Sequence, residues 1–263
     1  MDTSPPEIFE LLGDPLRWRL VVELGRSDLR VGELVELVAK SQNLVSYHLG
    51  ALREAGIVSA RRSSADGRDV YYRAELSRCR DLVRQASAQL HPGLALAPAR
   101  WHPGGTTRAR SKVLFLCTGN SARSQIAEAL VTERSAGTVE ARSAGSHPKP
   151  LHPNAVRVMA ERNIDIDGRP TKSLSRFTRH RFDGVVTLCD KVREVCPDFP
   201  GQPVVAHWSI ADPAASGDDD VATLPAFRAV ADEIDDRVGL LLAELTARPR
   251  SGTSGIPHTN QHQ

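Results

Sequence analysis

Through residue 91 the apolar positions recur mainly at helical spacing. Residues 5–12 (PPEIFELL), 15–24 (PLRWRLVVEL), 29–39 (LRVGELVELVA), 41–56 (SQNLVSYHLGALREAG) and 76–90 (LSRCRDLVRQASAQL) each read as a short amphipathic helix. Their ends carry capping residues: Asp14 before Pro15, Gly25 as a stop, Ser41 as an N-cap and Gly56 as a terminator. Between the last two helices the period shortens. Residues 57–62 (IVSARR) and 69–74 (DVYYRA) flank the turn-forming ADGR, which predicts a β-hairpin. From residue 112 the pattern changes again. Continuous apolar runs, KVLFLC (112–117), FDGVVTLC (182–189) and QPVVAHW (202–208), alternate with helical stretches at 123–135, 153–163 and 224–245, and TVEARSAG (138–145) adds a further strand. Continuous apolar strands alternating with helices predict a four-stranded parallel sheet covered by helices.

The predicted organisation is two domains: a mainly α winged helix-turn-helix over 1–91, then an α/β domain over 112–247. A Pro/Gly-rich stretch at 92–111 reads as a linker, and the polar 248–263 as a disordered tail. The chain's 263 residues suit two domains, and 40% hydrophobic with 25% charged residues is a globular composition. A net charge of +2 excludes a polybasic nucleic-acid coat but not a local basic patch. The start has no basic-then-apolar signal pattern and no run approaches a membrane span, so a cytoplasmic protein without membrane contact is expected. Four cysteines (79, 117, 189 and 196) are too few for a disulfide scaffold.

The candidate chemistry centres on FLCTGNSARSQ. Cys117 ends a buried strand, and five residues later Arg123 and Ser124 open a helix. A loop at a helix start turns backbone N–H groups and the positive dipole end into one space, a cradle for a tetrahedral oxyanion that favours the thiolate of a cysteine there. Arg123 suits two-point binding of the oxyanion, and Ser124 suits a hydrogen bond to the sulfur. The loop itself is Thr118, Gly119, Asn120, Ser121 and Ala122, with Gly119 expected to let it curl and Asn120 and Ser121 to brace it. Cys189 and Cys196 are separated by six residues, which fits neither a zinc ribbon nor a thioredoxin-type C-x-x-C. Cys189 lies at the same end of its strand as Cys117, where ligands bind in an open parallel sheet, so a thiol relay from 117 to 189 to 196 is geometrically open to it. Such a relay requires 190–195 to move.

The segment 112–247 resembles the low-molecular-weight tyrosine phosphatases and the arsenate reductases that share their fold. The resemblance implies that Cys117 attacks the oxyanion, Arg123 holds it, and Asp212 of the late Asp-Pro acts as general acid. The downstream cysteine pair, Gln125 where phosphatases usually have proline, and Ala214 where they often have an aromatic residue lean toward the thioredoxin-coupled reductases. That implies arsenate as substrate, phosphate as competitor, thioredoxin as external reductant and no bound cofactor. A tyrosine phosphatase, a low-molecular-weight thiol as reductant, and a regulator that merely binds an oxyanion are the alternatives. Ala122 stands where some reductases have a further cysteine. Asn120 and Glu128 match two potassium ligands of some members, but Ser173 stands where an aspartate is expected, so no metal is predicted. Residues 1–91 resemble ArsR-family repressors. This implies operator DNA and a homodimer through the terminal helices. Ser41, Gln42, Asn43, Ser46, Tyr47 and His48 are the candidate base-reading residues, and Arg61, Arg62 and Arg68 the phosphate contacts. The third helix lacks the cysteines that such repressors use for arsenite, and Cys79 reads as core filler.

Overall fold

A computed structural model of the chain describes residues 6–91 and 111–247. The predicted tail, and the predicted linker except Ser111, lie outside them; Ser111 opens a strand.

The first half follows the capping signals. α1 (Glu7–Leu12) leads into α2 (Pro15–Leu24), where Asp14 Oδ1 accepts from the backbone N–H groups of Leu16 and Arg17, both at 2.9 Å. α3 (Val31–Val38) turns through Ala39, in the left-handed region at φ 53°, into α4 (Gln42–Glu54). Ser41 occupies the N-cap of α4, but its side chain makes no capping bond. The hairpin is β2 (Val58–Arg62) against β3 (Val70–Ala74), followed by α5 (Leu76–Leu90). Sequence reading missed the two-residue strand β1 (Leu29–Arg30), which pairs with β3 and is too short to show a period. Leu20, Leu34, Val45, Leu49, Leu52 and Ile57 fill the core.

In the second half β4 (Ser111–Cys117), β5 (Val139–Gly145), β6 (Gly184–Thr187) and β7 (Val204–His207) form one parallel sheet in the order β5-β4-β6-β7. β4 is central, and Val113 to Cys117 are all buried, as its unbroken apolar run requires. α6 (Arg123–Arg134), α7 (Pro153–Ala160) and α9 (Asp220–Ala247) pack with it, α9 starting four residues before the predicted Leu224. Residues 190–195 hold a further element: α8 (Asp190–Glu194) occupies a segment expected to be a mobile loop.

The halves meet along β7, an edge of the sheet. Asp28 N donates to His207 O at 2.8 Å, and His207 N donates to Ser27 Oγ at 3.0 Å. Buried Asp28 also receives both Nη groups of Arg237 and the amide of Ser209. The first half thus satisfies backbone groups that an edge strand would leave open.

Candidate functional site

The 118–122 loop leaves β4 and enters α6, and its peptide groups are sorted by the segment facing it. Amides of Ser146, His147, Lys149 and His152 donate to the carbonyls of Cys117, Thr118, Gly119 and Ser121 at 2.8–3.3 Å. With those carbonyls engaged outward, the N–H groups turn toward the space above Cys117, making an anion-binding concavity at the start of a helix. Asn120 N donates to Cys117 Sγ at 3.2 Å. The left-handed residue of the loop is Asn120, φ 48°, and not Gly119, whose φ is not in that region. The glycine that the loop requires is Gly145 on the neighbouring strand. A Cβ there would lie 2.6 Å from Thr118 O and 2.8 Å from Asn120 N.

A directional hydrogen-bond chain leads to the sulfur. Lys172 Nζ donates to Glu128 Oε2 at 2.8 Å, and Ser143 Oγ donates to the same oxygen. Asn120 Nδ2 donates to Ser143 Oγ (2.8 Å) and to Ser124 Oγ (2.9 Å), while Asn120 Oδ1 accepts from Lys172 N at 2.7 Å. Ser124 Oγ lies 2.9 Å from Cys117 Sγ. Because Ser124 accepts from Asn120, its own hydrogen is free for the sulfur, the arrangement that stabilises a thiolate. Asn120 thus ties the loop to Ser143 and to the amide of Lys172. Ser121 contributes its carbonyl, and Ala122 sits buried at the N-cap of α6. Lys172, Ser143 and Gly145 were missed. Each lies far from the loop in sequence and carries no motif.

Arg123 is 6% exposed. Its Nη1 donates to Ile210 O at 2.8 Å and its Nη2 pairs with Asp212 Oδ2 at 3.2 Å. Asp212 is half exposed and also caps the short 3-10 turn Pro213–Ala215. Arg123 opens the helix that follows the loop and pairs with Asp212 there.

Cys189 is buried two residues beyond β6, and its Sγ lies 3.2 Å from Thr118 Oγ1, so it touches the loop that holds Cys117. Cys196 is half-buried beyond α8, where burial and then the Asp198 carboxylate push its thiol above its ordinary value. All four cysteines are free thiols. Cys79 packs partly buried against the first half's core, as filler would.

In the first half Ser41, Gln42, Asn43, Ser46 and Tyr47 are exposed at the start of α4, Tyr47 at 72%. Arg62 and Arg68 are exposed in the wing, Arg68 paired with Asp66 at 3.0 Å. Two expectations fail. His48 is buried, its Nδ1 3.8 Å from Asp14 Oδ1, because it faces the inner side of α4 with Leu49 and Leu52. Arg61 faces the other half, its Nη2 2.7 Å from Asp190 Oδ2 and its Nε 2.9 Å from Ser209 O, because a buried carboxylate there needs a cation.

Residues 112–251 match the family described as low molecular weight phosphotyrosine protein phosphatase, and residues 14–60 match the bacterial regulatory protein, arsR family. The second half is similar to curated arsenate reductases. That of Halalkalibacterium halodurans is 37% identical over 126 residues, 48% of this chain and 91% of that protein. That of Bacillus anthracis is 37% identical over 129 residues, 49% and 92% respectively. A glutaredoxin arsenate reductase of Synechocystis sp. is 32% identical over 135 residues, 51% of this chain and 98% of that protein. No helix among the described residues is long and apolar enough to cross a membrane. The chain belongs to the low molecular weight phosphotyrosine protein phosphatase family, with a segment that matches the bacterial regulatory protein, arsR family, ahead of that fold.

Proposed function

We propose that the second half reduces arsenate to arsenite through Cys117, Cys189 and Cys196, and that the first half binds operator DNA as a dimer. The observation that carries the reductase reading is the second thiol at the cradle: Cys189 Sγ lies 3.2 Å from Thr118 Oγ1. A phosphatase needs one cysteine there, whereas a reductase needs a second sulfur within reach of the first.

The steps balance as follows. The Cys117 thiolate bonds to arsenic while Arg123 and the loop amides hold the remaining oxygens, and Asp212 protonates the departing oxygen, which leaves as water. The Cys189 thiolate then attacks the Cys117 sulfur. The sulfur–arsenic bond breaks with its electron pair going to arsenic, so arsenite leaves and a 117–189 disulfide remains. Cys196 attacks Cys189, restores the Cys117 thiol and leaves a 189–196 disulfide for an external dithiol. Net, arsenate and two thiols give arsenite, a disulfide and water. Phosphate enters the same cradle but has no such redox step, and competes.

Thioredoxin is the proposed reductant. The glutaredoxin-named relative supports glutathione with glutaredoxin as the second reading. The exposed residues at the start of α4, with Arg62 and Arg68, are the proposed DNA surface. The test is arsenate-dependent NADPH oxidation with thioredoxin and thioredoxin reductase, beside glutathione with glutaredoxin, for wild type and Cys196→Ser. Turnover with thioredoxin that Cys196→Ser abolishes establishes the relay. Turnover unaffected by Cys196→Ser assigns reduction to an outside thiol. Hydrolysis of p-nitrophenyl phosphate without arsenate turnover makes the chain a phosphatase.

A further inference from the structure

α8, the segment between the last two relay cysteines, Cys189 and Cys196, is held by the DNA-binding half at both ends. Asp190, its first residue, is fully buried. It accepts from Arg61 Nη2 (2.7 Å), from the amide of Ser64 (2.6 Å) and from Ser64 Oγ (3.0 Å), all in or beside the wing. His207 and Ser209 complete its shell from its own half. Near the other end of α8, Arg193 Nη2 donates to Glu33 Oε1 at 2.6 Å, and its guanidinium lies over the Tyr71 ring, 5.1 Å from the centroid.

By helix geometry these contacts compete with a 189–196 disulfide. Cys189 is the N-cap of α8, and five helical steps at about 1.5 Å each carry the chain roughly 7.5 Å along the axis before it reaches Cys196. A disulfide needs its two Cα atoms within about 4.4–6.8 Å. The pair can close only if α8 unwinds, and unwinding displaces Asp190 and Arg193 from their partners. We propose that the 189–196 disulfide releases the wing from the reductase half, so that arsenate turnover is read out at the DNA-binding surface. Arg61 is the element with two states. In the reduced chain it neutralises Asp190; in the oxidised chain, of its contacts to the other half, only those to Ser209 remain, and its uncompensated charge is open to a backbone phosphate. This supplies the DNA-binding half with a signal although its third helix carries no arsenite-binding cysteines. The inference rests on the proposed relay.

Coupling of this kind is reciprocal. If docking stabilises the reduced α8, loss of docking must make the disulfide easier to form by the same factor. The experiment uses the full chain in two arms. In the first, protein oxidised by one equivalent of arsenate is checked by mass for the 189–196 disulfide, and hydrogen exchange of residues 58–64 is compared with the reduced protein. The Ser64 amide is expected to exchange at least tenfold faster after oxidation. In the second, wild type and Arg61→Ala are equilibrated in dithiothreitol redox buffers. Arg61→Ala is expected to shift the thiol–disulfide equilibrium about tenfold toward the disulfide, a midpoint about 30 mV more negative. Unchanged Ser64 exchange in protein that carries the disulfide, or a shift under twofold in Arg61→Ala, overturns the coupling and leaves the relay standing. Absence of the 189–196 disulfide overturns the relay, and the coupling with it.

Discussion

Gly145→Ala tests the cradle at the residue on which its shape depends. A Cβ at this position would stand 2.6 Å from Thr118 O, 2.8 Å from Asn120 N and 2.9 Å from Gly119 C, all backbone atoms of the oxyanion loop. Ordinary contact begins near 3.4 Å, so the loop must retreat by roughly 0.8 Å at its closest point. The strand cannot retreat instead. Gly145 pairs with Cys117 across the sheet, and its N–H donates to Lys172 O at 2.8 Å on the other side. Overpacking of this kind costs about 1–3 kcal/mol of stability. The larger effect falls on catalysis, because the displaced atoms include the Asn120 amide that donates to Cys117 Sγ. A misplacement approaching 1 Å in a positioning group costs on the order of 10²-fold in rate. Arsenate-dependent NADPH oxidation should therefore fall about a hundredfold, with a melting temperature several degrees lower. Gly119→Ala is the internal control: its Cβ meets Ser121 Oγ at 2.9 Å, a side chain that can rotate, so its loss should be under tenfold. Gly145→Ala turnover within threefold of wild type would refute the claim that this glycine sets the loop.

The remaining predictions concern charge. Lys172→Met strips the cation from the nearly buried Glu128, which should cost about 3–5 kcal/mol of stability by thermal melting, and adding Glu128→Gln should recover at least 1 kcal/mol; additive losses would show that the pair is not coupled. Burial and Asp198 hold the Cys196 thiol above its ordinary value, so formation of the 189–196 disulfide in rapid-quench experiments should accelerate with pH between about 7 and 9, and Asp198→Asn should speed it severalfold near pH 7; a flat profile would contradict this. Burial alone would raise the Asp190 carboxyl, but hydrogen bonds from His207, Ser64 and Ser209, together with the Arg61 charge, hold it well below the usual range. Its stabilisation is then fully present above about pH 4 and is lost as pH falls through the folded value, so the stability gap between wild type and Asp190→Asn should shrink on acidification in denaturant titrations.

What was legible in the sequence was whatever a local pattern dictates. The helix caps at Asp14 and Gly25, the hairpin around ADGR and the strand–loop–helix that carries Cys117 all follow from residues within a few positions of one another. The candidate cradle could be picked out for the same reason, since Cys117, Arg123 and Ser124 flank one five-residue loop. The supports were not. Gly145, Ser143 and Lys172 reach the loop only through sheet register, and α8 is too short for periodicity to reveal it. The two misread DNA contacts have one cause. His48 and Arg61 look like surface residues when each element is read alone, and become buried or paired only when other elements pack on them.

That packing falls into two sets of contacts with different dependence on the relay. Asp190 with Arg61 and Ser64, and Arg193 with Glu33, depend on α8 staying wound. Asp28 with Arg237, Ser27 and Asp28 with His207, and Arg73 with Glu233 rest on β7 and α9, which no disulfide among the three cysteines distorts. Unwinding α8 therefore frees one edge of the DNA-binding half while the other stays anchored, and the expected motion is a pivot about β7 rather than separation. The chemistry of the interface suits such a motion. Charged hydrogen bonds exchange for water at little net cost once exposed, whereas an apolar interface would have to uncover its surface to open. A double variant that removes the charged pairs of the anchored set, Asp28→Ala with Glu233→Ala, and leaves the Ser27 and Asp28 backbone bonds to His207, should loosen the halves in the reduced protein too, seen as a larger radius of gyration in X-ray scattering, while Arg61→Ala alone should leave the radius near that of wild type. Equal expansion in both would mean that the interface opens as one unit and that α8 has no separate hold on the wing.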